Sequence, residues 1–256
     1  MTSPDFGKTA TDYATHRQGF PAALFDRLAT FGIGIRGQRV LDLGTGTGTV
    51  ARSLALRGSE VTGLDPSAEM MGQAKAMDAA AGIAVRYIQG KAEATGLGDA
   101  AFDVVTAGQC WHWFDGPVAA REVYRLLSPG GILAILHFDW LPLPGNVVDA
   151  TERLIQAHNP AWKFGGALGM HPEFSVPVAV AGLAGIETFS YDTPAIYTHE
   201  GWRGRIRASA GVAGTLAPDA VASFDAAHAR LLHERFPDDP IAVPHRVWAL
   251  IARKPV

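Results

Sequence analysis

The chain has one cysteine, Cys110, among its 256 residues. A lone thiol closes no internal disulfide and builds no multi-cysteine metal centre; this agrees with a reducing compartment, and the cytoplasm is the expected location. Charge is sparse, with 18% charged residues and a formal net charge of −3. Without a broad basic field, nucleic acid is not an expected partner. Long hydrophobic runs are missing too. The most apolar stretches, Gly131–Phe138 and Val176–Gly185, are too short to span a bilayer as helices, so no membrane partner is expected. The start lacks the charged, then apolar, then small-residue order of a signal peptide. There is no internal repeat and no low-complexity tract. No spacing of His, Asp or Glu compels a metal site, and no metal is expected. These exclusions leave a soluble protein, expected to be a monomer or homodimer.

What is present is an alternation of strand and helix patterns. Arg39–Leu43 and Glu60–Leu64 read as buried strands, separated by "TVARSLALRG" at helical spacing. "DPSAEMMGQAKAMDAAAG" reads as a helix capped by Ser67 and ended by Gly82. "IAVRYIQG", "AFDVVTAG" and "ILAILHF" supply further strands, the last after a helix that stops at "SPGG". Strands joined by helical crossovers predict an α/β fold with a parallel sheet covered on both faces. Beyond Phe138 the rhythm breaks on five prolines, with one helix expected at Val147–His158. A strand over "IETFSYDTPAIYT", helices over "EGWRGRIRASAG" and "PDAVASFDAAHARLLHERF", and a closing strand over "AVPHRVWALIARK" follow. The expected organisation is one domain: an arm over 1–37, a core over 38–138, lid insertions at 139–185 and 200–240, and a last strand within 241–256.

The most informative stretch is "RVLDLGTGTGTV", where Gly44, Gly46 and Gly48 follow a core strand at alternate positions. Such a loop lets a ligand approach the backbone closely at the carboxyl edge of a parallel sheet. The second strand ends on Asp65, a carboxylate suited to a ribose diol. A pyrophosphate loop, G-x-G-x-x-G, would put its third glycine at Thr49. The glycine is one residue early, which argues against a nicotinamide-dependent oxidoreductase.

"VLDLGTGTG", "VTGLDPSAEMM", "GKAEATGLGDAAFDVVTAGQCWHWF" and "REVYRLLSPGGILAI", in that order from Gln38 to Phe138, resemble the class I S-adenosylmethionine-dependent methyltransferases. The opening "DYATHRQGFP", the "WHWF" run and the tail are similar to small-molecule methyltransferases of the trans-aconitate type. The resemblance implies a Rossmann-like, doubly wound, seven-stranded sheet, mostly parallel with the last strand antiparallel. S-adenosyl-L-methionine is then the implied cofactor. Gly44, Thr45, Gly46 and Gly48 would line its methionine and ribose part, with Asp42 positioning the loop. Asp65 would hold the ribose hydroxyls, Pro66 and Met70 would pack near the adenine, Ala92 and Glu93 would contact that ring, and Gln109 would lie beside the methionine. Tyr13 and Arg17, in an arm ahead of the first strand, would reach its carboxylate. For Glu93 a solvated surface acid is the plain alternative, and for Arg17 a solvated end of a docking helix.

Methyl transfer from a sulfonium asks chiefly for positioning and desolvation. "QCWHWF" is the expected floor of the acceptor pocket, with Trp111, Trp113 and Phe114 as flat walls. His112, the residue there that titrates near neutrality, is the general-base candidate, and equally a structural histidine. Cys110 reads as a buried small residue. His137 and His171 are candidate ligand contacts. Among Arg203, Arg205 and Arg207, the first and last share a helix face; Arg205, beside Trp202, is the candidate clamp for an acidic acceptor, against the alternative of solvated arginines. The expected activity is methylation of a small molecule, preferably on a carboxylate or hydroxyl oxygen. Nitrogen or carbon acceptors, or a cofactor-binding sensor or scaffold without turnover, are the alternatives. No Asn-Pro-Pro-Tyr-like run follows the fourth strand, which disfavours nucleobase or glutamine amide methylation.

Overall fold

A computed structural model describes residues 18–256 of the chain. Seven strands are described: β1 (Arg39–Leu43), β2 (Glu60–Asp65), β3 (Arg86–Gln89), β4 (Phe102–Gly108), β5 (Leu127–Trp140), β6 (Ala184–Tyr197) and β7 (Ile241–Arg253). They form one sheet in the order β3-β2-β1-β4-β5-β7-β6. β1 pairs in parallel with β2 and with β4, β2 with β3, and β4 with β5. The order reverses at β1, which places the ends of β1 and β4 at the switch point of a doubly wound sheet. β7 runs the other way. Gly130 and Gly131 exchange backbone hydrogen bonds with Lys254, while Leu141 bonds Pro244, so position falls along β7 as it rises along β5. The seven-stranded, Rossmann-like expectation holds.

Helices fill the crossovers: α1 (Ala22–Thr30), α2 (Thr49–Leu56), α3 (Ala68–Ala81) and α4 (Gly116–Leu126). Ser67 caps α3 by accepting from the Met70 N–H, and Gly82 ends it in a left-handed conformation at φ 67°. Asp115 caps α4 through the Val118 N–H, with Pro117 in the first turn. "SPGG" breaks no strand. β5 begins at Leu127 and carries a register shift opposite Phe102–Val104, with Gly130 at φ 74°. Pairing with the antiparallel strand keeps a Pro-Gly-Gly run inside the sheet that local turn chemistry would have placed outside it.

The chain divides into two compact units. One comprises Gly19–His137, His171–Ser190 and Val247–Val256. Its core gathers Leu41, Leu43, Val105, Leu133, Ile135, Trp111 and Trp248. The other contains Phe138–Met170 and Tyr191–Arg246. Its core is built by α5 (Val147–His158), α7 (His199–Arg207) and α8 (Pro218–Arg235) around Trp202, Phe224 and Ile155. The stretch 139–185, read above as a single insertion, is thus divided. Its later part, with the short α6 (Ser175–Val180), packs Phe174, Val178 and Leu183 into the core of the first unit. No helix of the described residues is long and apolar enough to cross a membrane.

Candidate functional site

The glycine loop leaves β1 through three left-handed residues, with φ of 58° at Gly44, 55° at Gly46 and 77° at Gly48. Its frame is polar. Asp42, 1% exposed, accepts hydrogen bonds of 2.7 Å from the hydroxyls of Thr45 and Thr106. Burial pushes the Asp42 carboxyl up to about 6, against the pull of those two donors. The Thr45 N–H bonds the Leu64 carbonyl, and the Gly46 N–H donates to the Asp65 carboxylate at 2.8 Å. Asp65 also accepts from the Ser67 N–H at 2.8 Å, and burial raises its pKa above the ordinary carboxylate value. One carboxylate therefore ties the loop after β1 to the start of α3.

The three glycines differ in what occupies the space of their missing side chains. A Cβ on Gly44 would lie 2.8 Å from the Cys110 Cβ and 3.3 Å from Phe114. On Gly48 it would stand 2.5 Å from the Tyr87 hydroxyl and 3.2 Å from Ala74 and Arg52. On Gly46 it would meet only the Met70 Cε, at 3.4 Å. The first and third are closed off by packed side chains; of the three, Gly46 alone faces only the flexible end of a side chain.

Behind the loop lies a network that pattern reading missed. Arg52 pairs with Asp78 at 2.7 Å and donates to the carbonyls of Thr47 and Ala74. The Tyr87 hydroxyl donates to Asp78 at 2.7 Å, and burial together with that carboxylate raises its pKa. The available signal was a charged residue, Arg52 or Asp78, beside the buried positions of each of the two helices.

The remaining candidates are placed as follows. Pro66 is exposed, and its carbonyl accepts from Gln89; Met70 is buried at the first turn of α3. Ala92 is buried. Glu93 is engaged rather than solvated, because its carboxylate accepts the Asp115 N–H at 3.0 Å at the start of α4. Gln109 follows β4 with φ 60°, a rare conformation for a residue with a side chain, anchored by its N–H on the Leu136 carbonyl. Cys110 is buried, its thiol on the Leu43 carbonyl at 3.1 Å. A short 3₁₀ turn, Trp111–Trp113, carries the aromatic run. Trp111 is 2% exposed and belongs to the core, which corrects its assignment as an open wall; Phe114 packs edge-on against it, and Trp113 is 36% exposed.

His112 stacks obliquely on Trp113 at 4.5 Å between ring centroids and lies 5.5 Å from His137. His137 is in turn 3.9 Å from His171, with Phe174 and Trp248 around them. Three histidines far apart in sequence are thus in ring contact.

In the second unit Trp202 is fully buried, its indole N–H on the Thr151 hydroxyl, so it serves the core and not a ligand surface. Arg203 and Arg207 share a face and pair with Asp225 and Glu200. Arg205 points elsewhere, 4.9 Å above the ring of Trp140. Tyr13 and Arg17 lie outside the described residues.

Residues 41–135 match a family model described as a methyltransferase domain. This segment is a class I S-adenosylmethionine-dependent methyltransferase domain. It holds the glycine loop, Asp65, Gln109 and the aromatic turn. An uncharacterized methyltransferase of Mycobacterium tuberculosis is 37% identical over 134 residues, 52% of this chain and 52% of that protein. A malonyl-[acyl-carrier protein] O-methyltransferase of Enterobacter lignolyticus is 38% identical over 143 residues, 54% of each. The chain thus spans about half the length of these curated relatives. A phosphoethanolamine N-methyltransferase of Haemonchus contortus, solved with S-adenosylhomocysteine, superposes with a TM-score of 0.61 at 21% identity. That match covers 100% of this chain and 61% of the other, and it speaks for the fold alone.

Proposed function

We propose that the chain transfers a methyl group from S-adenosylmethionine to an oxygen of a small-molecule acceptor. The observation carrying this reading is the bond from Gly46, the loop glycine that faces only the flexible end of Met70, to the Asp65 carboxylate across the ends of β1 and β2. The residues fit the cofactor. Asp65 keeps acceptor lone pairs for two ribose hydroxyls after binding two N–H groups, and Gly46 lets a ligand lie against the backbone. Met70, Pro66 and Ala92 supply surface for the adenine, and Gln109 and Thr45 stand at the methionine end. When bound, S-adenosylmethionine supplies an electrophilic methyl on a sulfonium.

Phe114 and Trp113 exclude water from the acceptor and present aromatic faces to a cation. For a hydroxyl acceptor, an imidazole nitrogen of His112 takes the proton as the new bond forms, with His137 beside it; a carboxylate acceptor needs no base. An oxygen acceptor is supported by the Enterobacter lignolyticus relative, a malonyl-[acyl-carrier protein] O-methyltransferase.

Calorimetric titration with S-adenosylhomocysteine tests the cofactor assignment. The native chain is expected to bind, and Asp65→Ala to bind about 10–100-fold more weakly, the worth of charge-assisted hydrogen bonds. A folded native chain that binds neither S-adenosylhomocysteine nor S-adenosylmethionine would remove the proposal.

A further inference from the structure

The carboxyl edge of the sheet carries the glycine loop, and the opposite edge carries a cavity. It has a volume of about 800 Å³ and lies wholly within the first unit. Arg39, Glu60, Arg86 and Phe102, which line it, are the first residues of β1, β2, β3 and β4. Its origin is in the crossovers. Helices follow β1, β2 and β4, whereas residues 90–101, from β3 to β4, form none. That connection lays only a loop beside the outer strands, and its Leu97 and Ala101 line the cavity.

The loop is a fixed wall. Arg125 of α4 donates to the Leu97 carbonyl at 2.7 Å and pairs with Asp99 at 2.5 Å, while the Ala100 N–H bonds the Arg125 carbonyl at 3.0 Å. The charges on the other walls are answered unequally. Arg39 donates to Asp103 through Nε and one Nη, a two-point pair that satisfies its charge. Glu60 and Arg86 are exposed, and their side chains make no ion pair or hydrogen bond among the described residues. The register pairs Arg39 with Glu60 and Thr62 with Arg86. Paired residues share a face of the sheet, as do residues two apart on one strand. Glu60, Thr62 and Arg86 therefore stand together on one side, with Thr62 between an unanswered anion and an unanswered cation.

We propose that this cavity binds a zwitterionic α-amino acid with a large apolar side chain. Arg86 takes the carboxylate, with the Thr62 hydroxyl as a further donor, and Glu60 takes the ammonium group. Val85, Leu97 and Phe102 receive the side chain. Equal and opposite charges set the net charge of the ligand at zero. A simple anion is repelled by Glu60 and a simple cation by Arg86, whereas one molecule carrying both signs satisfies both walls. The volume falls within the range of about 300–1,000 Å³ usual for small-ligand sites. Asp65 and Gly46 lie at the other edge of the sheet, so this site goes beyond the methyl-transfer reading and does not depend on it.

Four probes are titrated calorimetrically into the full chain: L-phenylalanine, L-phenylalaninamide without the anion, N-acetyl-L-phenylalanine without the cation, and glycine without the side chain. L-phenylalanine is expected to bind about tenfold or more tightly than each of the others, as charge-assisted pairs should allow. Arg86→Gln should abolish its advantage over the amide, and Glu60→Gln its advantage over the N-acetyl compound. Both side chains are exposed, so the variants should fold and keep the native affinity for S-adenosylhomocysteine. Three results would overturn the site: no binding of L-phenylalanine, equal binding of its derivatives, or preferences unchanged in both variants, which would place the amino acid elsewhere. Failure of S-adenosylhomocysteine to bind the native chain would strike the methyl-transfer reading instead, a separate outcome.

Discussion

The two units treat buried charge differently. In the first, Asp78 joins Arg52 and Tyr87, and one guanidinium nitrogen of Arg52 reaches two backbone carbonyls. In the second, the pairing is looser: Arg205, half-buried, lies over the Trp140 ring and enters no ion pair among the described residues. His228, 0% exposed, has the Thr151 hydroxyl on Nε2, and its Nδ1 has no partner among the described residues. The first network, tight against the glycine loop, is the part of the molecule where small changes cost most.

Gly48→Ala should produce the largest effect. The added methyl forces a left-handed residue to carry a side chain and drives it into the Tyr87 hydroxyl. Together these should cost about 2–4 kcal/mol in urea unfolding. Gly46→Ala meets only a flexible methionine end, so its stability cost should be about 1–2 kcal/mol from the backbone alone, with S-adenosylhomocysteine binding the more affected property. Equal stability losses in the two variants would erase the distinction between a packed and an open glycine.

Acid should expose the second unit. Burial pulls the His228 pKa down from 6.5 to about 3, so the unfolded chain takes up this proton first. Its contribution is fully present above about pH 6.5 and is lost as pH falls toward 3. Between about pH 6.5 and pH 5 the loss should be about 2 kcal/mol. Urea unfolding across that window, repeated with His228→Leu, checks it: the variant should show a shallower slope.

A smaller change sharpens the contrast. Tyr87→Phe removes the hydroxyl that closes the first network and should cost about 1–2 kcal/mol, since it leaves a buried carboxylate short of a donor. S-adenosylhomocysteine affinity should fall with it, because Arg52, the other partner of Asp78, also holds the Thr47 carbonyl of the loop.

Much of this architecture was legible because it is local. Val147–His158 is a helix with the predicted bounds, Ser67 caps where expected, and the glycine loop follows the strand that its apolar run announces. What was hidden depends on partners distant along the chain. That Gly48 is filled by Tyr87, that Glu93 holds the N–H of Asp115 ahead of the helix beginning at Gly116, and that "SPGG" lies within a strand are facts about pairing, which periodicity does not carry. Trp111 and Trp202 were misassigned for a related reason. An aromatic residue advertises apolar surface equally well to a core and to a ligand, and only burial separates the two.

Gln109 adds a last consequence. A glycine there would relax the left-handed backbone at φ 60° and so favour the folded state. The chain instead carries an amide at the end of β4 and forgoes that gain, as a craftsman keeps an awkward joint for the sake of what must pass through it. Replacement by glycine would measure the forgone stability directly, and any accompanying loss of affinity for S-adenosylhomocysteine would measure what the amide returns.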